Sequence, residues 1–336
     1  MKKWIKVVLA SLAVLLIIGG SVLFTRIRTI QTIEKVEGDL YKADYKLDEV
    51  LAEGVASVSD LEEMLSKKLF FGYPIETNEN LFGCSAFMVK TPTGENLVGR
   101  NFDYAKAGAL LLYTEPKAGY AAYSMVNLAH LGVSKEEGTM PETLKGKLAI
   151  LAAPYGSVDG LNEKGLSVSV LELQTEPTVQ QNGKTPITTT VAVRMLLDKA
   201  ASTEEAITLL KKYDMHSSAG KPYHFLIADK SGKSVVVDWA GQQLNVVPTD
   251  RATNFQLSKG NDEGVGIGHD RYQTLTSAMS AKKSWTPAEA MSLLEKVKIP
   301  WNGEWQTEWS AVYHLDDFSV DLVSDMNYAK VHRFSR

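Results

Sequence analysis

Residues 84–104 constrain this chain more than any other stretch. Residues 84–90 form a short run of β-forming side chains, Thr91-Pro92-Thr93-Gly94 is a turn signal, and residues 96–104 resume the strand. The pattern predicts an antiparallel hairpin with Cys84 at its start, directly after Gly83. Cys84 is the only cysteine among 336 residues, so no intramolecular disulfide can staple the fold. Stability must come from a packed core, for which 44% hydrophobic residues are ample.

The rest of the chain alternates strand runs with helical blocks. Residues 188–199 read as a helix, and a second opens at Ser202 with Glu205 as capping partner. Residues 221–228, 234–239 and 243–247 read as successive antiparallel strands. Thr286 caps a helix with Pro287 at its first position and Glu289 as partner. Three more strands follow at 309–314, 319–324 and 329–334. Together these predict an α+β fold with antiparallel sheets and helices layered on them.

Upstream of the hairpin the reading differs. Residues 30–69 are predicted to be a helical prelude, with Ile33, Val36, Leu40, Leu47, Val50 and Leu51 on one face. A second helix runs from Ser59 to Leu69, with Glu62 completing a capping box. Residues 72–80 read as a loop leading to Cys84. At the N-terminus, Lys2, Lys3 and Lys6 precede an uncharged run over 7–24, and Arg26 and Arg28 follow. That length is at the lower limit for a membrane span. We read it as an uncleaved signal anchor in preference to a cleaved signal peptide, with the N-terminus cytoplasmic. The expected organisation is an anchor or signal peptide at 1–29, a helical propeptide at 30–83 and a catalytic domain at 84–336. The protein is then membrane-anchored through residues 7–24 with that domain extracytoplasmic, or else secreted. A homo-oligomer stays open. A net charge of -4 and no basic stripe beyond the first 30 residues argue against a nucleic-acid partner.

A lone cysteine is most often a small buried core residue. The neighbours of Cys84 point elsewhere. Its thiol can attack the carbonyl of Gly83, which has no side chain to block the approach. Hydrolysis of the resulting thioester leaves Cys84 with a free α-amine, a base of pKa about 8. Nucleophile and base then belong to one residue. Arg100 and Asp103 fall on the partner strand, where a fixed cation can lower the thiol pKa and a carboxylate can orient the α-ammonium. The six histidines show no metal-ligand spacing, and no phosphate-binding glycine motif occurs, so neither a metal nor another cofactor is expected.

Cys84, followed by Gly99-Arg100-Asn101-Phe102-Asp103, resembles the choloylglycine hydrolase family of linear amide C–N hydrolases, which includes bile salt hydrolases and penicillin V acylases. Gly160-Leu161-Asn162-Glu163-Lys164-Gly165-Leu166 is similar to a family turn, and the prelude is similar to the N-terminal segment of acid ceramidase. The resemblance implies the four-layer αββα sandwich of N-terminal-nucleophile hydrolases. It also implies hydrolysis of a small-molecule N-acyl amide through an acyl-thioester. Asn254 matches the catalytic asparagine that holds the oxyanion, and Arg271 an active-site arginine. Asn254 is followed by Phe255-Gln256, whereas the family has a residue and then proline. Glu172 falls at the position that is Asn in bile salt hydrolases and Tyr in penicillin V acylases. It and Asn162 are candidate oxyanion or substrate contacts, although Asn162 also reads as an ordinary hairpin-turn residue. An acyltransferase using the same cysteine is the nearest alternative. An unprocessed, membrane-anchored binding protein on this fold is the rival of another class.

Overall fold

The structure, a computed structural model, describes residues 24–45, 54–70, 83–259 and 263–336. Helix α1 covers 24–31; β1 (Glu34–Glu37) and β2 (Leu40–Tyr45) form a hairpin, and α2 spans Val58–Leu69. The hairpin of β3 (Gly83–Lys90) and β4 (Asn96–Tyr104) leads to β5 (Ala109–Thr114), β6 (Ala122–Asn127) and the short α3 (Leu144–Ala149). Next come β7 (Ser157–Asn162), β8 (Leu166–Glu172), β9 (Thr185–Thr188), α4 (Thr189–Lys199), α5 (Thr203–Leu210) and β10 (Tyr213–His216). A meander of β11 (Tyr223–Asp229), β12 (Ser234–Asp238) and β13 (Asn245–Pro248) precedes the short β14 (Arg251–Ala252), β15 (Asn254–Phe255) and β16 (Gly266–Ile267). Helices α6 (His269–Ala281) and α7 (Pro287–Lys296) and strands β17 (Gln306–His314), β18 (Ser319–Ser324) and β19 (His332–Ser335) complete the chain.

Two sheets carry the architecture. One has nine strands in the order β1-β2-β5-β6-β7-β8-β11-β12-β13, the other six in the order β14-β3-β4-β17-β18-β19. They face each other where β3 meets β8 and β11. Helices α4 and α5 cover the outer face of the larger sheet, and α6 and α7 that of the smaller one. The layers therefore run helix, sheet, sheet, helix. Period-two alternation explains the sorting along β4: Val98, Phe102 and Tyr104 join the large core between the sheets, while Leu97 joins the cluster under α6 and α7. Capping follows the sequence at α5 and α7: the Ser202 side chain accepts from the Glu205 N–H, and Thr286 with Glu289 forms a full capping box.

The prelude is the main correction. Within the expected helical prelude over 30–69, residues 34–45 form β1 and β2 instead, and β2 pairs in parallel with β5 at the edge of the nine-stranded sheet. The deciding signal is a two-residue Gly38-Asp39 turn, with Gly38 at φ 51 and Glu37 opposite Leu40. It is followed by the alternation of buried Tyr41, Ala43 and Tyr45. Both signals were masked by the three- and four-residue spacing of Ile33, Val36 and Leu40. Helix α2 begins at Val58, one residue before the expected Ser59, and its N-cap is Ser57, which accepts from the Asp60 N–H. Leu47, Val50, Leu51 and the predicted loop at 72–80 lie outside the described residues, as does the apolar run at 7–24 apart from Phe24. Among the described residues no helix is long and apolar enough to cross a membrane.

Leu40 is fully buried in the core shared with the rest of the protein. Leu40→Ala is expected to lower the unfolding free energy by about 2–5 kcal/mol, the usual cost of a buried Leu-to-Ala cavity. Urea denaturation reads this directly, and an unchanged midpoint would show that β2 contributes nothing to the folded sheet.

Candidate active site

Cys84 is the second residue of β3, and strand alternation divides its surroundings into two faces. Cys84 and Ala86 point between the sheets, where Ala86 sits opposite Arg100, while Phe87 points to the helical layer. Gly83 sits opposite Asp103. The thiol and the cation therefore share one face, and the carboxylate serves the other.

Between the sheets, Arg100 is fully buried and reaches across from β4 to the larger sheet. Its Nε donates to Asp159 Oδ2 at 3.3 Å and its Nη2 to the Val170 carbonyl at 2.6 Å. That same carbonyl lies 3.5 Å from Cys84 Sγ. Asp159 is also held by the hydroxyl of Tyr313 and, at 3.3 Å, by the indole N–H of Trp309. Trp309 stacks on Phe102 at 4.1 Å, and Arg100 lies over the Phe102 ring. Burial pushes the Cys84 thiol up to about 12; Arg100 and Arg271 oppose the rise and Asp103 adds to it. Burial likewise raises the Asp159 carboxyl against the pull of Arg100.

The backbone of Cys84 is held from the other face. Its N–H donates to Asn254 Oδ1 at 2.6 Å, and its carbonyl accepts from Arg271 Nη1 at 2.5 Å. Arg271 also donates to Ser85 Oγ at 2.8 Å, to Asn254 Oδ1 at 2.9 Å and to Asp103 Oδ2 at 3.4 Å. Asp103 is fully buried and accepts from the Thr307 hydroxyl at 2.5 Å. Burial raises its carboxyl, against Arg271, Thr307 and Arg100. Arg271 lies in the first turn of α6 and folds back over the N-cap Gly268, whose φ is 83. A β-carbon at Gly268 would come 2.6 Å from Arg271 Nη2, so only glycine leaves the guanidinium its place. Beside it opens a cavity of about 320 Å³, lined in part by Gly268, Arg271, Ile299, Pro300 and Trp305.

Five predicted residues thus converge: Cys84, Arg100, Asp103, Asn254 and Arg271. Glu172 is buried and reaches the site through its backbone, its carbonyl accepting from Asn254 Nδ2 at 2.8 Å. Asn162 does not join as a contact. Its Nδ2 donates to the carbonyls of Leu197 and Ala200, and its Oδ1 accepts from the N–H groups of Lys164 and Leu166, so it ties the β7–β8 turn to α4. Sequence reasoning missed Asp159, Thr307 and the Val170 carbonyl. Asp159 begins the Asp-Gly-Leu-Asn run and carried no local signal, because its role depends on β7 facing β4.

A model of linear amide C-N hydrolases, choloylglycine hydrolase family, matches residues 84–254. Among solved structures, a mutant and a variant of the conjugated bile acid hydrolase from Clostridium perfringens each align with TM-score 0.53 and 18% identity. Each alignment covers 75% of this chain and 92% of that one. Penicillin V acylase from Agrobacterium tumefaciens aligns with TM-score 0.47 and 13% identity, over 75% of this chain and 85% of that one. At these identities the likeness to the bile acid hydrolase is one of fold. No curated protein sequence matches the chain.

The buried thiol gives a test of this geometry in the uncut chain. At neutral pH iodoacetamide should leave folded uncut protein unlabelled while labelling the urea-unfolded chain fully at Cys84, as read by intact mass. The sign of the pH dependence follows from the same shift. An unfolded thiol near 9 releases its proton before the folded one near 12, so the Cys84 contribution to stability is complete below pH 9 and falls away between 9 and 12. Cys84→Ser should flatten that part of the stability profile. Rapid labelling of the folded uncut chain would show that the thiol is open instead.

Proposed function

The chain belongs to the choloylglycine hydrolase family of linear amide C–N hydrolases, and from that premise we propose that it hydrolyses N-acyl amides with Cys84 as nucleophile, after cutting itself between Gly83 and Cys84. The observation that carries this reading is the concentration of buried polar groups on one residue. The thiol, the N–H and the carbonyl of Cys84 are each within reach of a side chain or carbonyl drawn from a different part of the chain.

In the self-cutting step Sγ adds to the Gly83 carbonyl carbon, and the thiol proton passes to the Cys84 nitrogen as the C–N bond breaks. Water then hydrolyses the thioester, leaving a Gly83 carboxylate and a free thiol beside a free α-amine. In turnover the amine takes the thiol proton and passes it to the leaving nitrogen of the substrate. Arg100 sustains the thiolate, and Asp103 positions the amine; its register partner is Gly83, the residue joined to that nitrogen before the cut. Asn254, already beside the Cys84 nitrogen, is the candidate side-chain donor to the tetrahedral oxyanion, with a backbone N–H as its partner. That role requires its amide to turn, because in the uncut chain its oxygen faces Cys84 and its nitrogen serves the Glu172 carbonyl. Arg271 shapes the substrate end.

We further propose that the anchor at 7–24 places the catalytic domain outside the membrane, and that the fragment ending at Gly83 stays bound after the cut. The seating of β2 against β5, with Leu40, Tyr41, Ala43 and Tyr45 buried, supports retention.

Four outcomes are expected. N-terminal sequencing should find a chain beginning at Cys84, and Cys84→Ala should remain full length. Cys84→Ser, supplied with a free N-terminus, should lose amidase activity by roughly a hundredfold or more. An intact Gly83–Cys84 bond in active enzyme would refute the reading. Fractionated cells should hold both pieces in the membrane; finding the larger piece only in the medium would refute retention.

A further inference from the structure

We propose that Trp305 and Asp103 form a steric filter on the acyl side of the scissile bond, so that the enzyme accepts acyl groups with an unsubstituted CH2 beside the carbonyl and rejects those branched there in the direction of an L-residue side chain. This rests on the amidase reading above and specifies its substrate class. On that reading the chain is the first substrate of its own site. The carbonyl attacked is that of Gly83, so the Gly83 Cα occupies the place of an acyl α-carbon.

The backbone does not call for glycine there, since Gly83 is absent from the positive-φ residues and pairs as an ordinary strand residue with Asp103. What glycine supplies is the absence of a side chain. A β-carbon at Gly83 would lie 2.6 Å from Cζ3 of Trp305, 3.0 Å from Oδ2 of Asp103 and 3.2 Å from its Cβ. Carbon contacts that short are repulsive, and an extra methyl in a filled site forces its neighbours to move. Asp103 cannot yield, being fully buried and held by Thr307 and Arg271. Trp305 is half-buried and flanks the cavity beside Arg271. Its backbone is tied down by Asn302, whose Oδ1 accepts the Trp305 N–H at 2.9 Å while its own N–H donates to the Trp305 carbonyl. Both walls belong to residues 84–336 and remain after Gly83 has left. The closed direction is that of an L-residue side chain, so the filter is also chiral.

The test has two arms. In the first, intact mass follows self-cutting of wild type, Gly83→Ala, Trp305→Ala and the double variant. Gly83→Ala should stay uncut, and adding Trp305→Ala should restore part of the cutting, because the contacts left to Asp103 are 3.0 Å and longer. Cutting of Gly83→Ala at the wild-type rate, or no recovery in the double variant, overturns the proposal. In the second, paired anilides carry a straight acyl group or either enantiomer of its α-methyl analogue. Wild type should favour the straight acyl over the enantiomer placed as an L residue by roughly tenfold or more in kcat/KM, the scale of one methyl in a closed pocket. Trp305→Ala should shrink that ratio, which is read within each enzyme so that a change in its straight-chain rate does not enter. An equal ratio in the two enzymes overturns the filter alone. A wild type that neither cuts itself nor hydrolyses the straight anilide overturns the amidase reading instead.

Discussion

The buried pair of Arg100 and Asp159 is the interaction on which the rest of the site depends. Arg100 belongs to the smaller sheet and Asp159 to the larger, so the pair joins the two layers across their interface. Two charges removed from water are costly, and they are tolerated only where their remaining polar atoms are satisfied. Here the Val170 and Asn101 carbonyls take the other guanidinium donors, and Tyr313 and Trp309 complete the carboxylate. The Phe102–Trp309 stack excludes water from the same place. The result is a rigid cation at the mouth of the thiol rather than a mobile one at the surface.

A second constraint acts on the backbone of Cys84. Asn254 and Arg271 come from segments far along the chain, yet both converge on the backbone of one residue and also on each other. The first turn of α6 supplies the arginine, and the glycine before that turn clears space for it. Such a network orders the strand start without any contact to the thiol itself. In this structure the thiol pKa is raised, because the loss of hydration outweighs two nearby guanidinium groups. On the proposed reading such a thiol takes its base from the α-amine formed by the cut, within the same residue.

The segment before Cys84 acquires a different meaning from its place in the sheet. As a helical prelude it would be an external cover, removable without harm to the core. As β1 and β2 it extends the nine-stranded sheet, and Glu37 pairs with Lys330 and His332 near the C-terminus, while Asp44 meets Arg336. The β1–β2 hairpin at the edge of the nine-stranded sheet is thereby tied to the β19 edge of the six-stranded one.

The hairpin of β3 and β4, the helices α4, α5 and α7 and the final strands were legible in the sequence because their signals are local. Turn residues, caps and alternation act over a few positions and carry their own physics. Cys84, Arg100 and Asp103 were legible for the same reason, since a hairpin register fixes which residues lie opposite. The strands β1 and β2 were not read correctly, because a short amphipathic run satisfies both periodicities and only the neighbouring β5 decides between them. Asp159 and Thr307 could not be found at all, and neither could the wall that Trp305 raises against Gly83. Those relations join residues distant along the chain, and no local rule reports them. The sequence by itself determined which strand carries the cysteine and what lies across from it; the packing of the two sheets decided what surrounds it, because burial and charge pairing exist only once the layers meet.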